Sequence, residues 1–478
     1  MSLEESFQPQ LTWLSESNKE QLFQAALTVL SDIGMQVQHD EALDLLQSVG
    51  CGILENQMVS MPAALIKNAI GLAPSSIPVY DRTGRLAMDL GGRRSYFGTG
   101  SDLIYSLDSA TMSRHQCVLE DVKRAARVCD SLPNIDFIMS FAHPNDITPK
   151  AAYLAEFWAM LQNSVKPVVF TSECRNDMAA IWDIACIIRG GPEELARQPY
   201  MIQYAEPISP LKHPHTSIDK LLFCAEKRIP VIYSPAPIAG STAPMTIAGH
   251  VVQGLAECLC GLVIHQLKSP GAPFVMGMGP AVLDMATGQC SYNAPEYYMA
   301  YMSMIEMSHH LDLPSWGYAG TSDSQIPDEQ ACLEAGLLTF ISAMSGANLN
   351  HDVGYLDFGR TGSLEMIVIM NEVIDQVRRI KKGAPIDADT LAVDVIRQVG
   401  VGGEFLTHDH TCRHLRATQW RPSLIHRDGY ENWVASGQKS LLARAREKLA
   451  EILENHRPLP VPVDQAAAIQ KCIDEFVV

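Results

Sequence analysis

From Ser95 onward the chain alternates between two apolar patterns. Short runs rich in β-branched and aromatic residues occur at Tyr96–Gly100, Asp136–Phe141, Pro167–Ser172, Met201–Glu206, Pro230–Ser234, Pro273–Met278, Ser315–Ala319 and Ala347–Val353. Each is followed by a longer stretch with apolar positions three and four apart. These lie near Leu119–Cys129, Ala151–Gln162, Asp177–Ile188, Ile218–Lys227, Val251–Leu267, Glu296–His310, Asp328–Ser345 and Ser363–Lys382. Eight strands, each with its own helix, is the rhythm of a closed parallel barrel. The pattern therefore predicts an α/β fold with a (β/α)₈ TIM-type barrel over residues 95–382. A doubly wound open sheet uses the same alternation, but a regular count of eight favours closure.

The flanks read differently. Residues 1–94 show helical periodicity at Asn18–Ile33, stopped by Gly34, then at Asp40–Ser48 and Pro62–Gly71. A hairpin follows over Ile77–Asp89, turning at Arg82-Thr83-Gly84. Residues 383–478 are helical again, most clearly at Asp387–Val399 and Gln438–Glu454, with an extended proline-rich piece at Arg457–Pro462. We expect an N-terminal helix-and-hairpin cap, the barrel, and a C-terminal helical extension packing on it.

Composition narrows the function classes. At 47% hydrophobic and 19% charged residues, the 478-residue chain has ample material for a large core. A net charge of −18 leaves no basic surface for nucleic acid and suits a cationic ligand or a partner with a basic rim. The twelve cysteines form no Cys-x-x-Cys and sit mostly among apolar neighbours, as buried thiols of a reducing compartment do. With no uninterrupted apolar span and an acidic start, the sequence is expected to be cytoplasmic, without a membrane segment. Exposed helical ends lead us to expect a homo-oligomer.

In barrels of this kind the chemistry sits at the C-terminal ends of the strands. Strand one ends in Phe97-Gly98-Thr99-Gly100-Ser101-Asp102, a glycine loop that lacks the lysine of a phosphate cradle. Asp102, Asp323 and Asp352 lie where they could cap the helices that follow, or face a ligand. Glu206 precedes a proline at a strand tip, a position better suited to function than to capping. His351, beside Asp352, is the best placed histidine; His213 and His215 lack the spacing of a zinc pair. Only 7% of the chain is aromatic, yet Phe97, Phe141, Tyr204, Tyr233, Trp316, Tyr318, Tyr355 and Phe358 all fall near strand tips. Ring faces gathered around an acidic group are the arrangement that recognises a quaternary ammonium.

Three stretches then carry a resemblance. Ser315–Gln330, Ser345–Glu365 and Gly402–Trp433, together with Phe97–Asp102 and Tyr233–Pro244, resemble the trimethylamine methyltransferase superfamily in order and over essentially the whole chain. The resemblance implies a barrel that holds a methylated amine in its central cavity while a separate corrinoid protein docks over the mouth and accepts the methyl group. Founding members carry pyrrolysine in the cavity, whereas this sequence has only standard residues, which points to the branch acting on quaternary amines, glycine betaine first among them. On this basis Phe97, Tyr204, Tyr233, Trp316, Tyr318, Tyr355 and Phe358 are expected to bind the substrate. Asn350, His351 or Arg360 would receive a carboxylate, with arginine preferred on geometry. Glu206, Asp323 and His351 are the candidate catalytic residues. Cobalamin is expected on the partner, with no cofactor or metal held tightly by this chain. Two alternatives remain: a metal-assisted barrel hydrolase or decarboxylase using His143, His213 and His351, and a non-catalytic betaine-binding protein.

Overall fold

The computed structural model describes residues 6–477 apart from residues 8 and 109. Its centre is a ring of eight parallel strand segments, one at each expected position. In order they are Tyr96–Phe97, residues 137–138, Val168–Phe170, Met201–Ala205, Val231–Tyr233, Phe274–Met276, Trp316–Tyr318 and Leu349–His351. The second is held by single bridges, Gly98 to Phe137 and Ile138 to Val168. Leu349–His351 pairs on one side with Trp316–Tyr318 and on the other with Tyr96–Phe97, which closes the ring. Helices at or within a few residues of the expected stretches form the outer layer.

Alternation along each strand decides which side chains enter the ring. Phe137, Val169, Ile202, Ile232, Val275, Trp316 and Leu349 point inward and pack together in its lower half. The hairpin of Ile77–Tyr80 and Leu86–Leu90 lies beneath them and adds Ile77, Val79, Met88 and Leu90 to the same cluster. Its turn falls at Arg82-Thr83-Gly84, where the Asp81 carboxylate accepts from the Thr83 and Arg85 amides and Gly84 takes φ +92°. The hairpin is tied to the chain entering strands three and four, since the amides of Tyr80 and Arg82 donate to the carbonyls of Pro199 and Val165, both at 2.8 Å. It therefore plugs the N-terminal end of the barrel. Each of its buried apolar side chains contributes roughly 1.5–3 kcal/mol to holding it there.

The N-terminal helices pack on one member of the outer layer, Ile247–Lys268, which touches Glu16–Thr28, Asp40–Ser48 and Ala63–Leu72 as well as its barrel neighbours. Among the described residues it is the single helix long and apolar enough to cross a membrane, and most of it is buried inside the protein. The expected helix over residues 18–33 runs as Glu16–Thr28 with a wider last turn, Val29–Ile33, and ends at Gly34 with φ +82°. A Cβ at Gly34 would stand 2.7 Å from the Val59 carbonyl oxygen, so the turn needs glycine for space as well as conformation.

The C-terminal residues divide into two parts. Leu441–Asn455 packs on Leu119–Ser131 and Leu364–Lys381, and Val463–Val477 on Pro149–Asn163 and Arg175–Arg189. The stretch before them is looser. The helix expected over residues 387–399 is broken at Ala392, φ +52°, into Ala388–Leu391 and Val393–Val399. These, with Asp409–Thr418 and Tyr430–Ala435, bury none of their residues.

Candidate active site

Above the plugged half the ring opens into a cavity of about 450 Å³ at the C-terminal strand ends. Four tyrosines wall it: Tyr204 and Tyr318 from strands four and seven, Tyr355 from the short hairpin after strand eight, and Tyr292 from the loop after strand six. Met139, Glu206, His351 and Asp352 complete the part relevant to a ligand. Burial holds the hydroxyls of all four tyrosines well above their ordinary range, so the wall is neutral aromatic surface. Tyr204 Oη donates to Glu206 Oε2 at 3.0 Å and Tyr355 Oη to the Ser101 carbonyl at 2.5 Å.

The glycine loop of strand one acquires its reason here. A Cβ on Gly100 would lie 2.2 Å from Asp352 Oδ1 and 2.5 Å from Tyr355 Oη, and one on Gly98 would enter the Phe137 ring. The glycines let backbone approach the cavity wall; they form no phosphate cradle.

His351 and Asp352 are adjacent in sequence and both buried. The His351 ring stacks on Trp316, centroids 4.0 Å apart, and lies 4.4 Å from Tyr318. Its Nδ1 is 2.7 Å from the Gly317 carbonyl oxygen. A carbonyl can only accept, so Nδ1 carries the proton and a neutral ring turns the lone pair of Nε2 outward. That atom stands 3.3 Å from Asp352 Oδ1. Burial pushes His351 down to about 3 and Asp352 up to about 8. Asp352 has φ +75°, a conformation uncommon outside glycine and asparagine, and this turns its carboxyl group inward.

A second histidine–carboxylate group lies at the rim. His143 Nδ1 is 2.8 Å from Glu156 Oε1 and 3.9 Å from Asp102 Oδ1, beside a surface cavity of about 420 Å³ that Asp102 and Tyr153 also line. The Glu156 hydrogen bond raises His143, while burial raises Glu156 to about 7. A further pocket of about 320 Å³, lined by Lys220, shares Asp102 and Tyr153 with this rim and Tyr204 and Glu206 with the central cavity. Asp102 and Glu206 are reached by water but walled by protein; desolvation raises both, and the nearby Lys220 charge opposes it.

Of the residues expected to serve the site, Tyr204, Glu206, Tyr318, His351 and Tyr355 meet at the cavity. The others stand elsewhere. Trp316 points inward but forms the floor beneath His351 and Tyr204. Tyr233 points outward, its hydroxyl 2.7 Å from His213 Nδ1 and its ring filling the space left by Gly261. Phe97 also faces the helical layer, under the Arg378 guanidinium. Asn350 ties strands together, donating to the Tyr96 and Ala347 carbonyls and accepting from Tyr301 Oη. Asp323 sits behind the wall: it accepts from the Tyr292 amide and the Ser291 hydroxyl, holding the loop that carries Tyr292. Phe358 and Arg360 lie at the turn of the hairpin after strand eight, where Arg360 is paired with Asp357 at 2.7 Å rather than aimed at the cavity.

None of the three aspartates caps a helix as considered; Asp328 and Ser363 do so after strands seven and eight. His143, His213 and His351 do not converge, and among the described residues the ligand-like group containing His143 is completed by Asp102 and Glu156. Tyr292 was not anticipated, because its loop is outside the strand rhythm and only aromatic content marked it.

Together these features define a barrel protein whose ligand cavity, tyrosine-walled and acidic, opens at the C-terminal strand ends. The chain belongs to the trimethylamine methyltransferase family, whose profile matches residues 3–476. It is 31% identical over 421 residues to trimethylamine methyltransferase MttB of Desulfitobacterium hafniense (strain DSM 10664 / DCB-2), covering 88% of this chain and 85% of that one. Glycine betaine methyltransferase of Desulfitobacterium hafniense (strain Y51) is 27% identical over 424 residues, 88% of each chain. Among solved structures, the Methanosarcina barkeri monomethylamine methyltransferase MtmB aligns over 91% of this chain and 92% of its own, at 15% identity and a TM-score of 0.48. Of the stretches that carried the resemblance, those around strands seven and eight build the cavity, whereas Gly402–Trp433 lies in the loosely packed C-terminal part.

Proposed function

We propose that the protein removes a methyl group from a quaternary amine and passes it to the reduced corrinoid of a separate protein, with glycine betaine, demethylated to dimethylglycine, as the first candidate. The observation that carries this reading is the cavity wall: four neutral tyrosines with Asp352 and Glu206, and no arginine or lysine. A quaternary nitrogen offers no N–H to bond, so ring faces and diffuse negative charge are what can hold it. Such a nitrogen leaves as a neutral amine without needing a proton, so the chain's task is to orient the methyl carbon toward the mouth and exclude water. Loose holding by rings suits a step that discharges the cation, since binding it too tightly would raise the barrier.

A betaine also has a carboxylate. With Arg360 committed to Asp357 and Asn350 to the strands, we place that end toward Lys220 in the adjoining pocket. The test is incubation of the protein with glycine betaine and a reduced corrinoid protein, following dimethylglycine. Binding without product would instead support a betaine-binding protein. The rim group of Asp102, His143 and Glu156 gives the metal-assisted alternative a foothold beside the cavity; stoichiometric metal in the purified protein that is needed for turnover would favour it.

A homo-oligomer is supported by the C-terminal stretch. Leu391, Val393 and Ile396 are exposed on helices that bury nothing of their own, with Ile386, Val401 and Leu406 exposed on the adjoining loops, and helices this short are marginal in water without packing. Light scattering on the full chain should give a dimer or larger species, and Val401→Asp should lower its mass.

A further inference from the structure

We infer that the cavity exchanges a proton for its cation: Asp352 is a neutral carboxylic acid when the cavity is empty and a carboxylate when a fixed ammonium ion fills it, so that binding expels one proton. The inference rests on the quaternary-ammonium reading above and goes beyond it.

Geometry carries the first half. Asp352 is buried, and no described donor is placed to hydrogen-bond its carboxylate oxygens. His351 Nε2 stands 3.3 Å from Asp352 Oδ1 and carries a lone pair, because the Gly317 carbonyl holds the ring proton on Nδ1. A carboxylate facing a lone pair is repelled, whereas a carboxylic acid can share its hydrogen with it. The alternative, an imidazolium beside a carboxylate, would charge a buried ring stacked on Trp316.

The groups that face Asp352 from other elements do not supply the missing positive charge. Its charge is felt by Tyr204 on strand four, Tyr292 on the loop after strand six and Tyr297 on the following helix. It is felt also by Tyr318 on strand seven and Tyr355 on the hairpin. All five are neutral phenols. The remaining charges of the cavity and its mouth are the carboxylates of Glu206 and Asp102, Lys220 in the adjoining pocket, and the His143–Glu156 pair at the rim. The pair therefore titrates as a buried acid, consistent with burial raising Asp352 to about 8.

A permanent cation reverses the balance, because it cannot donate a hydrogen and is best matched by a full negative charge. The cycle then closes. When the methyl carbon bonds to the partner's reduced corrinoid, the C–N electron pair stays on nitrogen and a neutral tertiary amine remains. The fixed charge that kept Asp352 ionised is gone, and one proton from solvent restores the starting charge of the site once the amine has left.

Calorimetry on the full chain tests this, with tetramethylammonium and glycine betaine as probes, in buffers of different ionisation enthalpy. Close to one proton should be released per ligand at about pH 6 and almost none at about pH 9.5. Affinity should rise by about tenfold per pH unit below about pH 7 and level off above about pH 8. Asp352→Asn should release no proton and bind with a flat pH profile; if that variant does not fold, the wild-type profile decides alone. Binding with no proton release, or release that persists in Asp352→Asn, overturns the exchange and leaves the substrate class standing. Failure of both probes to bind at every pH overturns the quaternary-ammonium reading, and the exchange with it.

Discussion

Two histidine–carboxylate pairs stand within one active-site region and are built for opposite states. His143 turns Nδ1 toward Glu156 and keeps part of its ring exposed, so it can hold a positive charge, which the Glu156 hydrogen bond favours. His351 spends Nδ1 on a carbonyl and lies between Trp316 and Tyr318, so it stays neutral and leaves Asp352 without a charged partner. The residue types are the same; what differs is which ring nitrogen meets the carboxylate and whether water reaches the pair. The satisfied pair stands at the rim, and the unsatisfied one at the centre, where a bound cation would supply the missing charge.

The contrast can be broken most severely from below. Trp316→Ala removes the floor under His351 and should cost about 3–5 kcal/mol in denaturant unfolding. Had Trp316 faced the cavity, affinity would suffer instead with little loss of stability. Tyr318→Ala should weaken tetramethylammonium binding by about 1–2 kcal/mol, while Tyr318→Phe keeps most of it, because the ring face does the holding. Equal losses in both variants would shift the role to the hydroxyl.

A third test uses stability against pH. Asp352 holds a proton in the folded chain that the unfolded chain releases, so the wild type should lose stability as pH climbs from about 4 through about 8. Asp352→Asn should thus gain melting temperature relative to wild type at high pH and show no such gain below about pH 4. Glu156→Gln sharpens the rim side: with the partner carboxylate gone, His143 should titrate at lower pH by NMR, and His351 should not respond. The smallest effect expected is that of Arg360→Ala, about 0.5 kcal/mol in stability, since Arg360 is half-exposed and the buried Asp357 keeps Arg114 as a second partner, with glycine betaine affinity unchanged.

The barrel was legible because each helix and strand carries its own period, and all eight strands lie where the apolar runs place them. The phase of those strands was not. Val231–Tyr233 and Trp316–Tyr318 are buried on both faces, so apolar residues run without alternation and nothing local says that Tyr318 turns in and Tyr233 out. Asp352 could pass for a helix cap because the hairpin Tyr355–Leu356 with Thr361–Gly362, inserted before the next helix, leaves that task to Ser363. Arg360 was sound as chemistry but had a nearer carboxylate, Asp357, three residues away. Resemblance supplied the class of reaction; the packing decided which tyrosines could take part.

The hairpin packed under the strands has a consequence for timing. A barrel stoppered at its N-terminal end leaves the C-terminal mouth as the way in, so on the proposed function the amine, the methyl acceptor and the demethylated product would all use it in turn. The amine would be seated before the acceptor covers the mouth, and the product would stay until the acceptor withdraws. A fold with a blind end thus sets the order of events that a through-channel would leave open.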